Sequence, residues 1–423
     1  MLMMKVALSR FLRWLPQLDT RVWILIAGRL LSQLGTGFTL FYAPIFFVNQ
    51  VGLSATAVGL GIGSGSISGI VGRILGGSFA DSPRWGRRQT LLVSAAISAL
   101  ADVALVLADD LSLFILGNLL MGLGIGLYWP ATEAVVADLT TVEQRNEAFA
   151  LTRLGDSLGL GLGVVLGGAL ISLTGNYRAL FVIDGISFVI FFGVIYQAIA
   201  ETLHPDQPHR NFFQGWAIAL GDRILMIYVV VNILFTTYLS QVQSALPIYL
   251  SKFVPQPEGM GLPTGTISLL FSGHVALTAL LQLPVARWLN RFQRLTALMI
   301  SALLWGIGFV LLWVTGSAAQ QNLLWAVVSL SVLAIATVAY LPSASALVVT
   351  LAPVSLRGVY LSINSLCWAV GYFIGPAIGG WAMDQAAWIA HQFWIASALS
   401  IVGAIAILYF LNQVMQQQEQ RQS

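Results

Sequence analysis

The stretch GGSFADSPRWGRRQ, Gly76 to Gln89, lies between two long apolar runs and holds Asp81, Arg84, Arg87 and Arg88. Elsewhere charge is scarce: of 423 residues only 9% are charged and 57% are hydrophobic, with a mean hydropathy of +0.84. A soluble domain carries about 25% charged residues. Apolar segments longer than ~18 residues recur along the whole chain, as membrane-spanning helices do. In lipid each such run must satisfy its own backbone amides, which a helix does. Residues 22–48 and 323–349 lack the apolar–polar alternation of a spanning β-barrel. A charged stretch with paired glycines in such a chain reads as a tight loop between two spans.

Twelve spans are expected, near 22–48, 56–76, 89–108, 111–137, 150–173, 178–200, 223–250, 264–287, 294–315, 322–349, 357–382 and 389–412. The longest polar stretch, ETLHPDQPHRNFFQGW, divides them into a six-helix bundle at 1–200, a linker at 201–222 and a second six-helix bundle at 223–423. Charge placement tests the count. With a cytoplasmic N-terminus the inner loops collect Lys5, Arg10, Arg13, Arg21, Arg73, Arg84, Arg87, Arg88, Arg145, Arg153, Arg210, Arg223, Arg287, Arg291, Arg294, Arg357 and Arg421. The outer loops hold Arg178 and Lys252, and Arg29 falls inside the first span. This is the asymmetry of the positive-inside rule, and a miscount by one span would scatter it. It places both termini on the cytoplasmic side of a cell inner (plasma) membrane, with residues 1–15 read as a retained basic leader. A shift of 212 residues aligns Tyr128, Pro130, Ala134, Leu139, Arg145, Gly159, Gly163, Gly167 and Gly168 with Tyr340, Pro342, Ala346, Leu351, Arg357, Gly371, Gly375, Gly379 and Gly380. Spans four and five thus repeat as ten and eleven, and the two halves are parallel repeats.

Residue counts exclude several chemistries. Neither lysine, Lys5 or Lys252, closes a phosphate-binding loop. The single cysteine, Cys367, excludes an internal disulfide or a Cys-x-x-Cys site. His204 and His209 in HPDQPH could hold a metal or simply solvate a linker, and the plain linker is the expectation. A net charge of +3 set by helix-end arginines implies no nucleic acid. The chain reads as a non-enzyme without cofactor or metal.

With twelve spans and a repeat in place, the opening stretch resembles the signature loop of the major facilitator superfamily, Gly-x-x-x-Asp-x-x-Gly-Arg-Arg, with a longer spacer before Gly86. The resemblance implies two pseudo-symmetric six-helix bundles and a gating loop of Gly77, Asp81, Gly86, Arg87 and Arg88 that latches the cytoplasmic face. Asp81 would cap the start of the next span, with Arg87 and Arg88 in the headgroup zone. Glycines four apart, at Gly61, Gly65 and Gly69, at Gly159, Gly163 and Gly167, and at Gly371, Gly375 and Gly379, permit close packing. In the resembled fold, helices two and five meet eleven and eight between the halves, so these faces either slide or pack statically. Span five resembles the antiporter pattern Gly-x-x-x-Gly-Pro-x-x-Gly-Gly with Val164 at the proline. Span four has Asn118 where many proton-coupled members have arginine.

Ionisable residues inside a membrane mark pathways or relays. Arg29 and Glu133 are expected to pair across the central cavity, as a coupling element or as a structural bridge. His274 in span eight either relays protons or packs. Asp102 and Asp184, near outer ends of spans three and six, read as wet. Gln33, Phe41, Tyr42, Tyr128, Trp129, Asn232, Tyr238, Gln241, Gln243 and Tyr340 are cavity candidates by the resemblance, and their amides and rings suit an amphipathic or lipophilic substrate. YAPIFF, SALPIYL and YWPATEAVVADL resemble the drug:proton antiporter branch. The expectation is a monomeric, proton-linked exporter of a small molecule working by alternating access. Metabolite uptake or facilitated passage, and a transport-dead binding protein, are the alternatives.

Overall fold

A computed structural model describes residues 16–203, 212–256, 259–318 and 320–422. The leader at 1–15, the HPDQPH stretch and the Phe41 side chain lie outside the described residues. The chain folds into helices whose ends follow its polar punctuation. α1 (Thr20–Asn49) is capped by Asp19, α2 (Ala55–Ala80) by Ser54 and α4 (Leu111–Asp138) by Asp110, each side chain accepting an N–H of the first turn. α3 (Gly86–Leu107), α5 (Arg145–Thr174) and α6 (Arg178–Ala198) complete the first half. α5 stops at Gly175, whose φ of 66° is the left-handed ending that glycine favours.

A short helix, α7 (Phe212–Gly221), lies within the linker and leads to α8 (Arg223–Gln243), capped by Asp222. Span seven is broken at Ser244 and continues as α9 (Ala245–Lys252), which contains Pro247. α10 (Thr264–Leu289), α11 (Arg294–Ser317), α12 (Asn322–Leu351), α13 (Arg357–Met383) and α14 (Ala387–Gln422) follow. Among the described residues, ten helical stretches are long and apolar enough to cross a membrane. With α1 and α2, of 30 and 26 residues, they make the twelve-span bundle. The repeat appears in the helices: Pro130 lies inside α4 and Pro342 inside α12.

The glycine ladders face within each half. Gly155, Gly159 and Gly163 of α5 press on the α1 carbonyls of Ile26, Leu30 and Leu34. Gly65 and Gly69 of α2 lie on α4 at Asn118 and Gly122, and Gly371 and Gly375 of α13 lie on α8 at Thr236 and Ser240. The resemblance placed these faces between the halves; four-residue spacing fixes which residues share a face, but not what the face meets. Between the halves the close glycine contact is Gly77 of α2 against Gly358 of α13, where a Cβ on either would strike the other's carbonyl. α2 meets α13, and α5 meets α10 and α12, near the face that carries the arginine-rich loops.

Candidate functional site

The basic face is sealed by Asp81, which ends α2. Its carboxylate accepts the N–H groups of Gly358 (2.9 Å) and Val359 (2.8 Å), so it caps the first turn of α13 in the other half. The expectation that Asp81 caps the next span, α3, is therefore corrected: Glu201, the first residue of the linker, does that, accepting the Arg87 and Arg88 N–H groups at 3.1 Å each. Gly86, at φ 69°, brings its backbone against the Glu201 carboxylate, which leaves no room for a Cβ. Arg87 does not lie in the headgroup zone. It is buried, 3.7 Å from Asp81 and 3.0 Å from Asp138, and donates to the Val354 carbonyl at 3.3 Å. Asp138, at the foot of α4, also binds Arg357 of α13 at 2.7 Å and the Thr202 hydroxyl at 2.9 Å. Arg88 donates to the Tyr196 carbonyl at 2.6 Å and lies over the Tyr196 ring at 5.0 Å. On the opposite side of the seal Glu147 accepts from Arg287 at 3.0 Å, Asn146 donates to Ala286, and Arg294 donates to Val142.

Burial pushes the Asp81 carboxyl up to about 7, against the pull of Arg87 and of the Val359 and Gly358 amides. An exposed aspartate titrates near ~4. The closed seal thus holds a proton that the open one releases. Its contribution to closure is fully present below about 4 and is lost as pH rises through about 7. The distance between spin labels placed across the basic face should accordingly shift toward the short, closed value as pH falls from 8 to 5; a shift toward the longer value contradicts the assignment.

Above the seal lies a cavity of about 1080 Å³ between α1, α2, α4 and α13, bordered by Gln33, Asn118, Tyr128, Trp129, Asp156 and Trp368 among others. A smaller space of about 130 Å³ continues toward the seal, lined by Arg73, Trp129, Glu133, Arg153, Asn364, Ser365 and Trp368. Here charge converges. Arg29, buried in α1, forms a two-pronged bond to Asp156 of α5, at 2.9 Å from Nε and 2.5 Å from Nη2. Arg153, one turn before Asp156, binds Glu133 of α4 at 2.6 Å and approaches Asp156 at 3.7 Å. The Trp129 ring takes both guanidinium groups, Arg29 at 4.4 Å and Arg153 at 5.2 Å from its centroid. The expected direct pair of Arg29 with Glu133 is replaced by this four-residue chain. The charge count places Arg153 with the inner-loop arginines and does not single out Asp156; α5 starts at Arg145, which carries both well inside the helix.

The remaining candidates separate. Gln33, Tyr128 and Trp129 line the cavity. Tyr42 packs on α5 and donates to the Val164 carbonyl at 2.7 Å. Tyr340 and Asn232 do not open to the cavity: the tyrosine donates to Asn232 at 2.6 Å, Asn232 donates to Asn364 at 2.9 Å, and Tyr228 joins them. Tyr238 bonds Ser400 of α14 at 2.7 Å, and Gln241 is buried. Gln243 is exposed at the end of α8. His274 bonds the Leu330 carbonyl of α12 at 2.9 Å, a packing arrangement. Asp102 and Asp184 are not wet. Both are 1% exposed; Asp102 lies against Gly185, and Asp184 lies against Gly35 with Ser187 beside it.

Fold and site together define a twelve-span membrane protein with a charged internal cleft that is closed on its basic face. The sequence pattern of the Major Facilitator Superfamily matches residues 25–260 and 253–423, and the chain belongs to that family. It is similar, at 25% identity over 402 residues (87% of this chain, 88% of the relative), to the Na(+), Li(+), K(+)/H(+) antiporter of Planococcus maritimus. It is likewise similar, at 25% identity over 389 residues (91% and 92%), to the multidrug resistance protein MdtH of Salmonella typhimurium strain LT2. Its fold is similar to that of FucP, a transporter of the family in the outward conformation, with a TM-score of 0.72 at 14% identity over 92% of this chain and 98% of that one.

Proposed function

We propose that this protein is a proton-linked secondary transporter that exports an amphipathic or lipophilic small molecule by alternating access, and that it catalyses no covalent chemistry. The carrying observation is the cleft of about 1080 Å³, whose apolar and aromatic walls end on the chain Arg29–Asp156–Arg153–Glu133. Such a chain supplies carboxylates that can exchange an arginine for a proton inside a low-dielectric space. The similarity to a cation/proton antiporter and to a multidrug resistance protein supports the same reading. In it, residues 1–200 and 223–423 rock as two bundles joined by the linker 201–222. The basic face and both termini are cytoplasmic, and the seal built on Gly77, Asp81, Gly86, Arg87 and Arg88 is the inner gate. The substrate meets Gln33, Tyr128 and Trp129, while Tyr42, Tyr238, Gln241, Gln243, His274 and Tyr340 shape the helices around them. A monomer suffices for this cycle.

Purified full-length protein in vesicles with an imposed pH gradient tests it. A lipophilic fluorescent probe should accumulate against its gradient, and a protonophore should stop it. Flux indifferent to the gradient, or no flux for a panel of amphipathic probes, overturns the proposal.

A further inference from the structure

We infer that the cleft selects amphipathic organic anions and that Arg73 of α2 recognises the anionic group; this rests on the transport reading above and names its substrate class. Two guanidinium groups, Arg73 and Arg153, and two carboxylates, Glu133 and Asp156, border the two neighbouring cavities, and the buried Arg29 lies behind them on Asp156. The carboxylates are committed: Asp156 holds Arg29 with both oxygens, and Glu133 holds Arg153 and faces Ser345 at 3.5 Å. Arg73 is left over. Among the described residues its side chain has no ion pair and no hydrogen bond, and its Nε is buried without a partner. The position is nonetheless built. The Arg73 carbonyl accepts the Ser362 hydroxyl of α13 at 2.6 Å, and Gly72 next to it packs against the α4 backbone at Leu123 and Gly126. The side chain borders both cavities, beside Trp129 and Trp368.

An excess cation in a low-dielectric space attracts an anion far more strongly than it would in water. A free guanidinium fork fits one carboxylate or sulfonate in two parallel hydrogen bonds. The neighbouring tryptophans and the apolar wall supply the complement to a hydrophobic body. A cationic drug finds the opposite: each acid is already neutralised, and Arg73 repels it. The sequence hid this because Arg73 sits near the end expected for span two and was counted with the loop arginines; α2 runs on to Ala80, which places Arg73 two turns inside.

The test uses three probes of one shape: 1-pyrenebutyrate, its neutral amide and the corresponding pyrenyl ammonium. Binding to the full-length protein in detergent is read by energy transfer from tryptophan to pyrene, and carriage is read in vesicles. Butyrate should bind at least about tenfold tighter than the amide, with the ammonium weakest; about tenfold corresponds to ~1.4 kcal/mol. Arg73→Gln should shrink the butyrate-to-amide ratio to within about threefold, and Arg73→Lys should keep part of the preference, because a point cation attracts without the fork. Equal or tighter binding of the ammonium by the unaltered protein overturns the inference without any variant. So does an unchanged ratio in Arg73→Gln, or no binding of any probe. Carriage of the ammonium but not the butyrate sinks the anion assignment and leaves transport standing. Selective butyrate binding without carriage keeps the anion site and sinks the transport reading.

Discussion

Asp156→Ala is expected to abolish gradient-driven flux and to lower the melting temperature of the solubilised protein. Asp156 is the acid that holds Arg29, a guanidinium only 1% exposed, through both its oxygens. Removing one member of a buried pair strands the other, at a cost of about 3–5 kcal/mol. Removing both charges is a smaller loss, so Arg29→Gln combined with Asp156→Asn should recover most of the stability. It should not recover coupling, because the acid that trades Arg29 for a proton is gone and the remaining Arg153–Glu133 pair has lost its link to α1. The thermal melt and the flux assay therefore read the structural and functional roles separately. Near-normal proton-driven flux from Asp156→Ala, and from Arg29→Gln alone, would make the chain of charges a structural brace.

Asp81→Ala is expected to open the basic face. The substitution removes the acceptor for the second and third amides of α13 and takes one acid from Arg87, while Asp138 remains on that arginine. Hydrogen bonds from amides to a buried carboxylate contribute about 1.5–3 kcal/mol each at most, and less net when water replaces them. A loss of about 2–3 kcal/mol shifts a two-state balance about 30- to 150-fold. Spin labels on the exposed residues Glu143 and Arg291, in a Cys367→Ser background, report the gap between the halves on this face. The unaltered protein should give mainly a short distance and Asp81→Ala a dominant longer one. A distribution unmoved by Asp81→Ala would remove the carboxylate from the gate.

What the sequence made legible was periodic or local. Apolar length and arginine asymmetry carried the spans and their order. The 212-residue repeat located Pro130 and Pro342, which both lie mid-helix. The Asp81 loop carried the seal, although its contact is with α13 at a separation no local pattern reveals. Other parts were hidden for physical reasons. Arg73 and Arg153 were missed because an arginine one or two turns inside a helix is indistinguishable from a loop arginine until the boundary is known, and Asp156 because its partner, Arg29, lies 127 residues away in the chain. Asp102 and Asp184 lie near span ends, where an acid can reach water; only the packing of α3 on α6 shows that they do not. Tyr340 and Asn232 lie on spans expected to line the cavity, yet they turn toward Asn364 and bond one another.

Paired distances on both faces test the rocking of two bundles most directly. One label pair spans the basic face at Glu143 and Arg291, and a second spans the opposite face at the exposed residues Asn176 and Ala386. When Asp81→Ala lengthens the first distance, rocking about the charged cleft requires the second to shorten in the same population. A longer first distance with the second unchanged, or both lengthening together, contradicts it.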